Sequence, residues 1–260
     1  MLTSKYNKMR YRINRKAQIT IFVILAIAII GILIVVFLPK IKVVVSKPVP
    51  EVNLQKCMLE KLENSEKIIL DQGGSLNPEH YFLYNNSKFQ YLCYSNEYYK
   101  RCVMQVGFIE ETVEKELIKN IEKDIDVCIN EIKQEFNSRG YEVEVNGNQV
   151  LVDIVPKNIF ITLNTTINIR KSGDERVIQN IKAEKPSSLS KILAISTSIL
   201  NFEASLGDSN PEEYMSFYPS IKIEKKKQGD GTKLYIVSDR DTLERFQFAV
   251  RSLAWPPGRV

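Results

Sequence analysis

The sequence predicts an α+β protein: an N-terminal transmembrane helix, then a helix pair carrying cysteines, then an antiparallel β-sheet with one further helix across it. Three observations lead there. An apolar run from Ile19 to Leu38 is twenty residues long and interrupted only by Thr20 and Gly31. Two later stretches repeat their apolar residues at helical spacing, within 51–72 and 110–138. From Tyr141 onward the period changes to two, the pattern of strands buried on one face.

The apolar run comes first. At a helical rise of about 1.5 Å per residue it reaches roughly 30 Å, the hydrocarbon thickness of a bilayer. Lys5, Lys8, Arg10, Arg12, Arg15 and Lys16 precede it, with no acidic residue among them. The positive-inside rule therefore keeps the N-terminus in the cytoplasm and sends the chain after Pro39 across the membrane. The formal charge of +5 reflects this leader, because residues 17–260 sum to −1. The domain thus offers no basic face for nucleic acid, and none is expected as a partner.

Pro39, Pro48 and Pro50 bound an extended stalk, since proline stops a helix and biases the residue before it toward extended geometry. The first amphipathic helix follows, with Val52, Cys57, Leu59, Leu62, Ile68 and Ile69 largely on one face, and Gly73-Gly74 ends it. Residues 75–107 read as an aromatic loop, rich in Tyr81, Phe82, Tyr84, Phe89, Tyr91, Tyr94, Tyr98 and Tyr99. Such a segment packs on its own domain or offers an adhesive, subunit-contacting patch, because tyrosine suits interfaces that are part apolar and part wet. The second helix spans about 110–138, carrying Val113, Leu117, Ile121, Ile125, Cys128, Ile132 and Phe136.

Strand candidates then begin at Glu142-Val143-Glu144-Val145 and Val150-Leu151-Val152, and the intervening Asn146-Gly147 predicts a tight hairpin. Further strands are expected at Ile159–Ile169, Val177–Ala183, Ile221–Ile223, Lys233–Val237 and Phe246–Val250. Turns are expected at Ser172-Gly173-Asp174 and Gln228-Gly229-Asp230-Gly231. A third helix is expected over Ser188–Leu206. The count is one antiparallel sheet of about six or seven strands. The C-terminal Trp255-Pro256-Pro257 either covers its own sheet edge or docks on a neighbour.

All four cysteines lie beyond the apolar run, and an even number in an exported domain favours disulfides. Cys57 and Cys128 sit on the two amphipathic helices, while Cys93 and Cys102 flank a short tyrosine-rich segment. The expected pairs are Cys57–Cys128 and Cys93–Cys102. With no C-x-x-C spacing and His80 as the only histidine, no metal site is expected. No catalytic or cofactor-binding constellation is legible: there is no G-x-S-x-G, no H-E-x-x-H and no glycine-rich phosphate loop. The chain is therefore not expected to be an enzyme or to carry a cofactor. Asn85-Asn86-Ser87 and Asn164-Thr165-Thr166 are candidate glycan acceptors at Asn85 and Asn164.

The junction Arg15-Lys16-Ala17-Gln18 followed by an unbroken apolar helix resembles the class III signal peptide of archaeal type IV pilins. That resemblance covers about 25 residues. It implies processing between Ala17 and Gln18 on the cytoplasmic side, with the apolar helix kept as the core of a filament. The chain departs from many pilins in carrying Phe22 where they have a glutamate. The wider layout is similar to surface proteins common in DPANN-type archaea, through Lys16–Phe22, Gln72-Gly73-Gly74-Ser75-Leu76, Cys128–Ile132 and Gly140–Glu144. The resemblance implies a structural subunit of a pilus-like filament used for surface or host-cell attachment. Its partners would be the membrane, its own copies through the N-terminal helix, and a host or neighbouring cell surface. The alternative is a single-pass anchored surface-binding protein that never polymerises. The resulting division is a basic leader (1–17), a hydrophobic helix (18–38), a stalk (39–50), a disulfide-stabilised helical region (51–140) and a β-rich region (141–260).

Overall fold

The computed structural model describes residues 25–30 and 51–256. Residues 25–30, inside the expected hydrophobic helix, are helical and expose Leu25, Ile27, Ile29 and Ile30 by about half or more. Among the described residues no helix is long and apolar enough to cross a membrane. The leader, the Ala17–Gln18 junction, the rest of the 18–38 segment and the stalk lie outside the described residues. The described residues from 51 onward form one compact unit.

That unit is α+β. Helix α1 (Glu51–Leu70) buries Leu54, Met58, Leu62, Ile69 and Leu70. Helix α2 (Ile109–Ser138) buries Ile109, Val113, Leu117, Ile121, Ile125, Cys128, Ile132 and Phe136, the three- and four-residue spacing of one helical face. The two pack together, and a Cys57–Cys128 disulfide with a Cα–Cα separation of 5.9 Å joins them. Asn120 on α2 donates to Ser65 Oγ on α1 at 2.8 Å. At the end of α1, Gly73 and Gly74 take φ of +81° and +93°. A Cβ on Gly73 would lie 2.7 Å from Cβ of Gln90, so the close approach of the next strands requires glycine there.

The expected aromatic loop is in fact strand. β1 (Tyr81–Tyr84) and β2 (Ser87–Tyr94) form a hairpin, and β3 (Val103–Met104) pairs with β2 farther along, at Cys93 and Tyr94. Asn85 and Asn86 both adopt positive φ, the two-residue turn geometry that matches strand twist. Phe89 and the run Tyr91, Leu92 and Cys93 are buried along β2.

The β-rich half also departs from a single antiparallel sheet. β4 (Glu142–Val155), β5 (Asn158–Lys171) and β6 (Asp174–Pro186) make a three-stranded antiparallel sheet. β7 (Ile221–Lys227), β8 (Thr232–Asp239) and β9 (Arg245–Arg251) belong to a six-stranded sheet of order β1-β2-β9-β8-β7, with β3 beside β2. The β2–β9 pairing is parallel, so this sheet is mixed. The 140/141 boundary does not divide it, because β1 to β3 come from before it and β7 to β9 from after it.

Asn146-Gly147 is a bulge, not a hairpin. Asn146 pairs with Thr166 and Gln149 with Asn164, which leaves one extra residue on β4. The reason lies in the side-chain phase. Val143 and Val145 are odd-numbered, while buried Val150, Val152 and Ile154 are even-numbered, and one inserted residue keeps all five on the same face. The tight turns fall instead at Pro156-Lys157 and Ser172-Gly173.

Helix α3 (Leu189–Leu206) buries Leu189, Ile192, Leu193, Ile195, Ile199 and Leu200 and contacts β8 and β9. A short helix α4 (Pro211–Phe217), absent from the expected elements, follows it. Its signal was the Asn210-Pro211 start, where the Asn210 side chain accepts from Glu212 N–H.

Candidate functional site

The sequence singled out cysteines, two asparagines and an aromatic stretch, and the fold sorts these into distinct roles. Cys93 and Cys102 form the second disulfide, nine positions apart, with Cα atoms 5.3 Å from one another. Among the described residues no cysteine is free. Two disulfides are consistent with an extracellular protein.

The Cys93–Cys102 loop is held against the chain's last described residues. Ser95 N–H donates to the Arg251 carbonyl at 2.9 Å, Tyr99 N–H to Ala254 and Leu253 N–H to Lys100. Cys102 N–H donates to Ser252 Oγ, which itself donates to the Glu203 carbonyl at the end of α3. Tyr99 keeps φ of +58°, an uncommon conformation for a bulky residue, sustained by these bonds.

This end of the molecule carries three exposed aromatics. Tyr98, Tyr99 and Trp255 are exposed, and the Tyr99 and Trp255 rings meet edge-on with centroids 5.2 Å apart. The Arg251 guanidinium lies over the Tyr98 ring at 5.2 Å. Lys100 and Arg101 are exposed beside them, Arg101 donating to the Ser205 carbonyl. Leu206 is exposed at the end of α3. Leu253 lies against Gly207, where an added Cβ would meet its Cδ1 at 2.0 Å. Aromatic rings, an apolar rim and two cations at one end make a surface suited to contacts with other molecules.

Of the other aromatics in the stretch, Tyr81 is exposed on β1 and the rest are partly or fully buried. Phe89 and Tyr91 are buried with Leu234 and Ala249, flanked by Phe82, Tyr84, Tyr94 and Ile236. Tyr91 Oη and Thr232 Oγ1 are 2.8 Å apart, and burial pushes the Tyr91 phenol above its usual range. His80 packs on Tyr91 and Tyr94, with centroids 4.6 and 4.3 Å away. The two sequons differ sharply. Asn85 is exposed at the β1–β2 hairpin tip, whereas Asn164 sits in β5 with its Nδ2 on Gln149 Oε1 at 3.3 Å. Ala17 and Gln18 lie outside the described residues.

Sequence reasoning missed two buried charge clusters. In the first, Glu203, with no exposed surface, accepts from Lys233 Nζ, from the Tyr235 hydroxyl and from Ser209 N–H. Lys233 also donates to the Gly207 carbonyl. Burial, and then the adjoining Glu203 charge, drive the Tyr235 phenol upward, so it stays a neutral donor. In the second, Lys185 Nζ lies 2.5 Å from Glu66 Oε2 and 3.4 Å from Glu244 Oε1. Each cluster gathers residues from distant parts of the chain, so no local spacing could reveal it.

Among the described residues, no group of three or more histidines, cysteines, aspartates or glutamates is arranged to hold a metal ion. No protein-family model, curated protein or solved structure matches this chain.

Proposed function

We propose that the chain is a structural subunit of an archaeal type IV pilus-like extracellular filament that serves attachment to a surface or host cell. One observation carries this reading: a twenty-residue apolar run directly after Arg15-Lys16-Ala17-Gln18, ahead of a disulfide-held α+β domain. In this reading a peptidase cuts between Ala17 and Gln18, and the apolar helices of many copies pack side by side. Packing then replaces lipid contacts by protein ones, with Gly31 allowing close helix approach. The solvent exposure of Leu25, Ile27, Ile29 and Ile30 in a single chain supports a partner for that helix, whether lipid or neighbouring copies. The Tyr98, Tyr99 and Trp255 surface is the part of the domain best suited to outside contacts.

Phe22, where many pilins have glutamate, favours a second reading: a single-pass anchored surface protein that binds a partner without polymerising. Replacing Ala17 by a bulky residue separates the two. Ala17→Trp is expected to abolish surface filaments seen by electron microscopy while the protein stays in the membrane fraction. Filaments undiminished in that variant would rule out processing at this junction.

A further inference from the structure

The two sequons set the same acceptor amide in opposite surroundings. Asn85 and Asn86 form the two-residue turn between β1 and β2, with φ of +48° and +63°. Asparagine takes this left-handed geometry more readily than most residues. Both side chains are exposed, and among the described residues nothing hydrogen-bonds the Asn85 amide. Ser87, the third residue of the sequon, is half-buried at the start of β2, and no described residue bonds its hydroxyl. A substituent on Asn85 Nδ2 therefore extends into solvent without displacing a contact. Asn164 lies instead on the middle strand of its sheet, between β4 and β6. Its Nδ2 donates to Gln149 Oε1 at 3.3 Å, and Thr165 within that sequon is 4% exposed with its hydroxyl on the Asn146 carbonyl. A substituent there would break the Gln149 bond and lie across the neighbouring strands.

What stands beside Asn85 gives a substituent there a task. β1 is the end strand of the six-stranded sheet. Tyr91 N–H donates to the His80 carbonyl, so the even-numbered residues of β1 bond to β2 and the odd ones turn their backbone groups away. Tyr81 and Leu83 thus present N–H and C=O outward, and no described strand pairs with them. Their side chains are 39% and 60% exposed. Lys88 Nζ covers the Tyr81 ring at 4.9 Å, while Leu83 stays open. An apolar strand edge of this kind is a template for pairing with another chain. Leu83 is two residues from Asn85, roughly 7 Å along the strand. We propose that Asn85 carries an N-linked glycan whose hydrophilic bulk guards the open edge of β1, and that Asn164 is left unmodified. This rests on the domain lying outside the cytoplasm, as in both readings above, and not on whether the chain forms filaments.

The sugar donor is a glycan joined through its anomeric carbon to a lipid phosphate on the external face of the membrane. Asn85 Nδ2 forms a C–N bond to that carbon as the bond from the carbon to the phosphate oxygen breaks. The lipid phosphate leaves with the bonding electrons, and one amide proton passes to a base of the transferase. The third-position hydroxyl is part of what marks the acceptor, so Ser87 is required although it receives no sugar.

The test takes the native full-length protein from its own cells, alkylates free thiols, and reads the digest by peptide mass spectrometry. The Asn85 peptide is expected to carry a series of added sugar residues, the Asn164 peptide to show its plain mass, and the four cysteines to escape alkylation. Ser87→Ala, which keeps asparagine at the positive-φ position, should remove the added mass, and Ser87→Thr should restore it. In light scattering of the full chain in detergent micelles, Ser87→Ala should self-associate at several-fold lower concentration than the glycosylated protein. Adding Leu83→Lys should reverse that association. An unmodified Asn85 in protein with intact disulfides, or a modified Asn164, would overturn the assignment. Equal association of the glycosylated protein and Ser87→Ala would overturn the guarding role. An unmodified Asn85 together with alkylated cysteines would overturn export as well, because the domain would then have stayed in the cytoplasm.

Discussion

Glu203 shows how much a single side chain holds in place. Its two oxygens receive Lys233 and Tyr235 from β8 and Ser209 N–H from the loop after α3. Replacing it by alanine would leave the Lys233 ammonium, only 6% exposed in its side chain, with the Gly207 carbonyl and the more exposed Asp208 carboxylate at 3.2 Å, and would strip the Tyr235 hydroxyl and Ser209 N–H of their acceptor. Removing one member of a buried pair costs about 3–5 kcal/mol, chiefly because the surviving charge is stranded. Because Asp208 still faces Lys233, Glu203→Ala should lower the unfolding free energy read from urea titration of the full chain in micelles by an amount at the lower end of that range, about 3 kcal/mol. A loss under about 1 kcal/mol would mean that water reaches Lys233 and that the cluster is not buried in solution. This residue also shows what spacing cannot reveal. Glu203 in the sequence is one acid on an amphipathic helix, and its three donors come from two later segments.

At the scale of elements, the disulfides do unequal work. Cys57–Cys128 closes a loop across 71 positions and ties α1 to α2, whereas Cys93–Cys102 spans nine and shapes one turn. The chain-entropy account makes the first worth about 4 kcal/mol and the second about 3 kcal/mol. The paired Cys57→Ser/Cys128→Ser variant should therefore unfold at lower denaturant than Cys93→Ser/Cys102→Ser. The reverse order would mean that the short loop's contacts with 251–254 carry more than its closure entropy.

Helices α1 to α3 were legible because their apolar stripes run for many turns, and the disulfide partners were legible because Cys57 and Cys128 sit on two such helices while Cys93 and Cys102 flank one short segment. The strands β1 to β3 were not. The density of aromatics from Tyr81 to Tyr99 reads as an irregular segment until Asn85-Asn86 is seen to take the positive φ of a hairpin turn. The bulge at Asn146-Gly147 was misread because those residue types serve a turn and a bulge equally well. The deciding signal was the change from odd to even apolar positions across it. The parallel β2–β9 pair sets Cys93 beside Val250, 157 positions on, a register that no local pattern fixes. The cluster at Glu66 was invisible for the same reason, since its two acids and its ammonium arrive from three parts of the chain.

For the whole molecule, the account joins an apolar N-terminal segment to an α+β domain whose two sheets and four helices are braced by two disulfides and two buried charge clusters. Tyr98 and Tyr99 are exposed in the loop closed by Cys93–Cys102, with exposed Trp255 against Tyr99. The central claim is that the N-terminal segment is processed and then serves a filament. The most direct measurement is the N-terminal residue of the native protein in material sheared from cell surfaces, read by peptide mass spectrometry. The account predicts a start at Gln18 in the sheared fraction. A start at Met1, with the protein retained in the membrane pellet, would contradict it and leave a single-pass anchored surface domain.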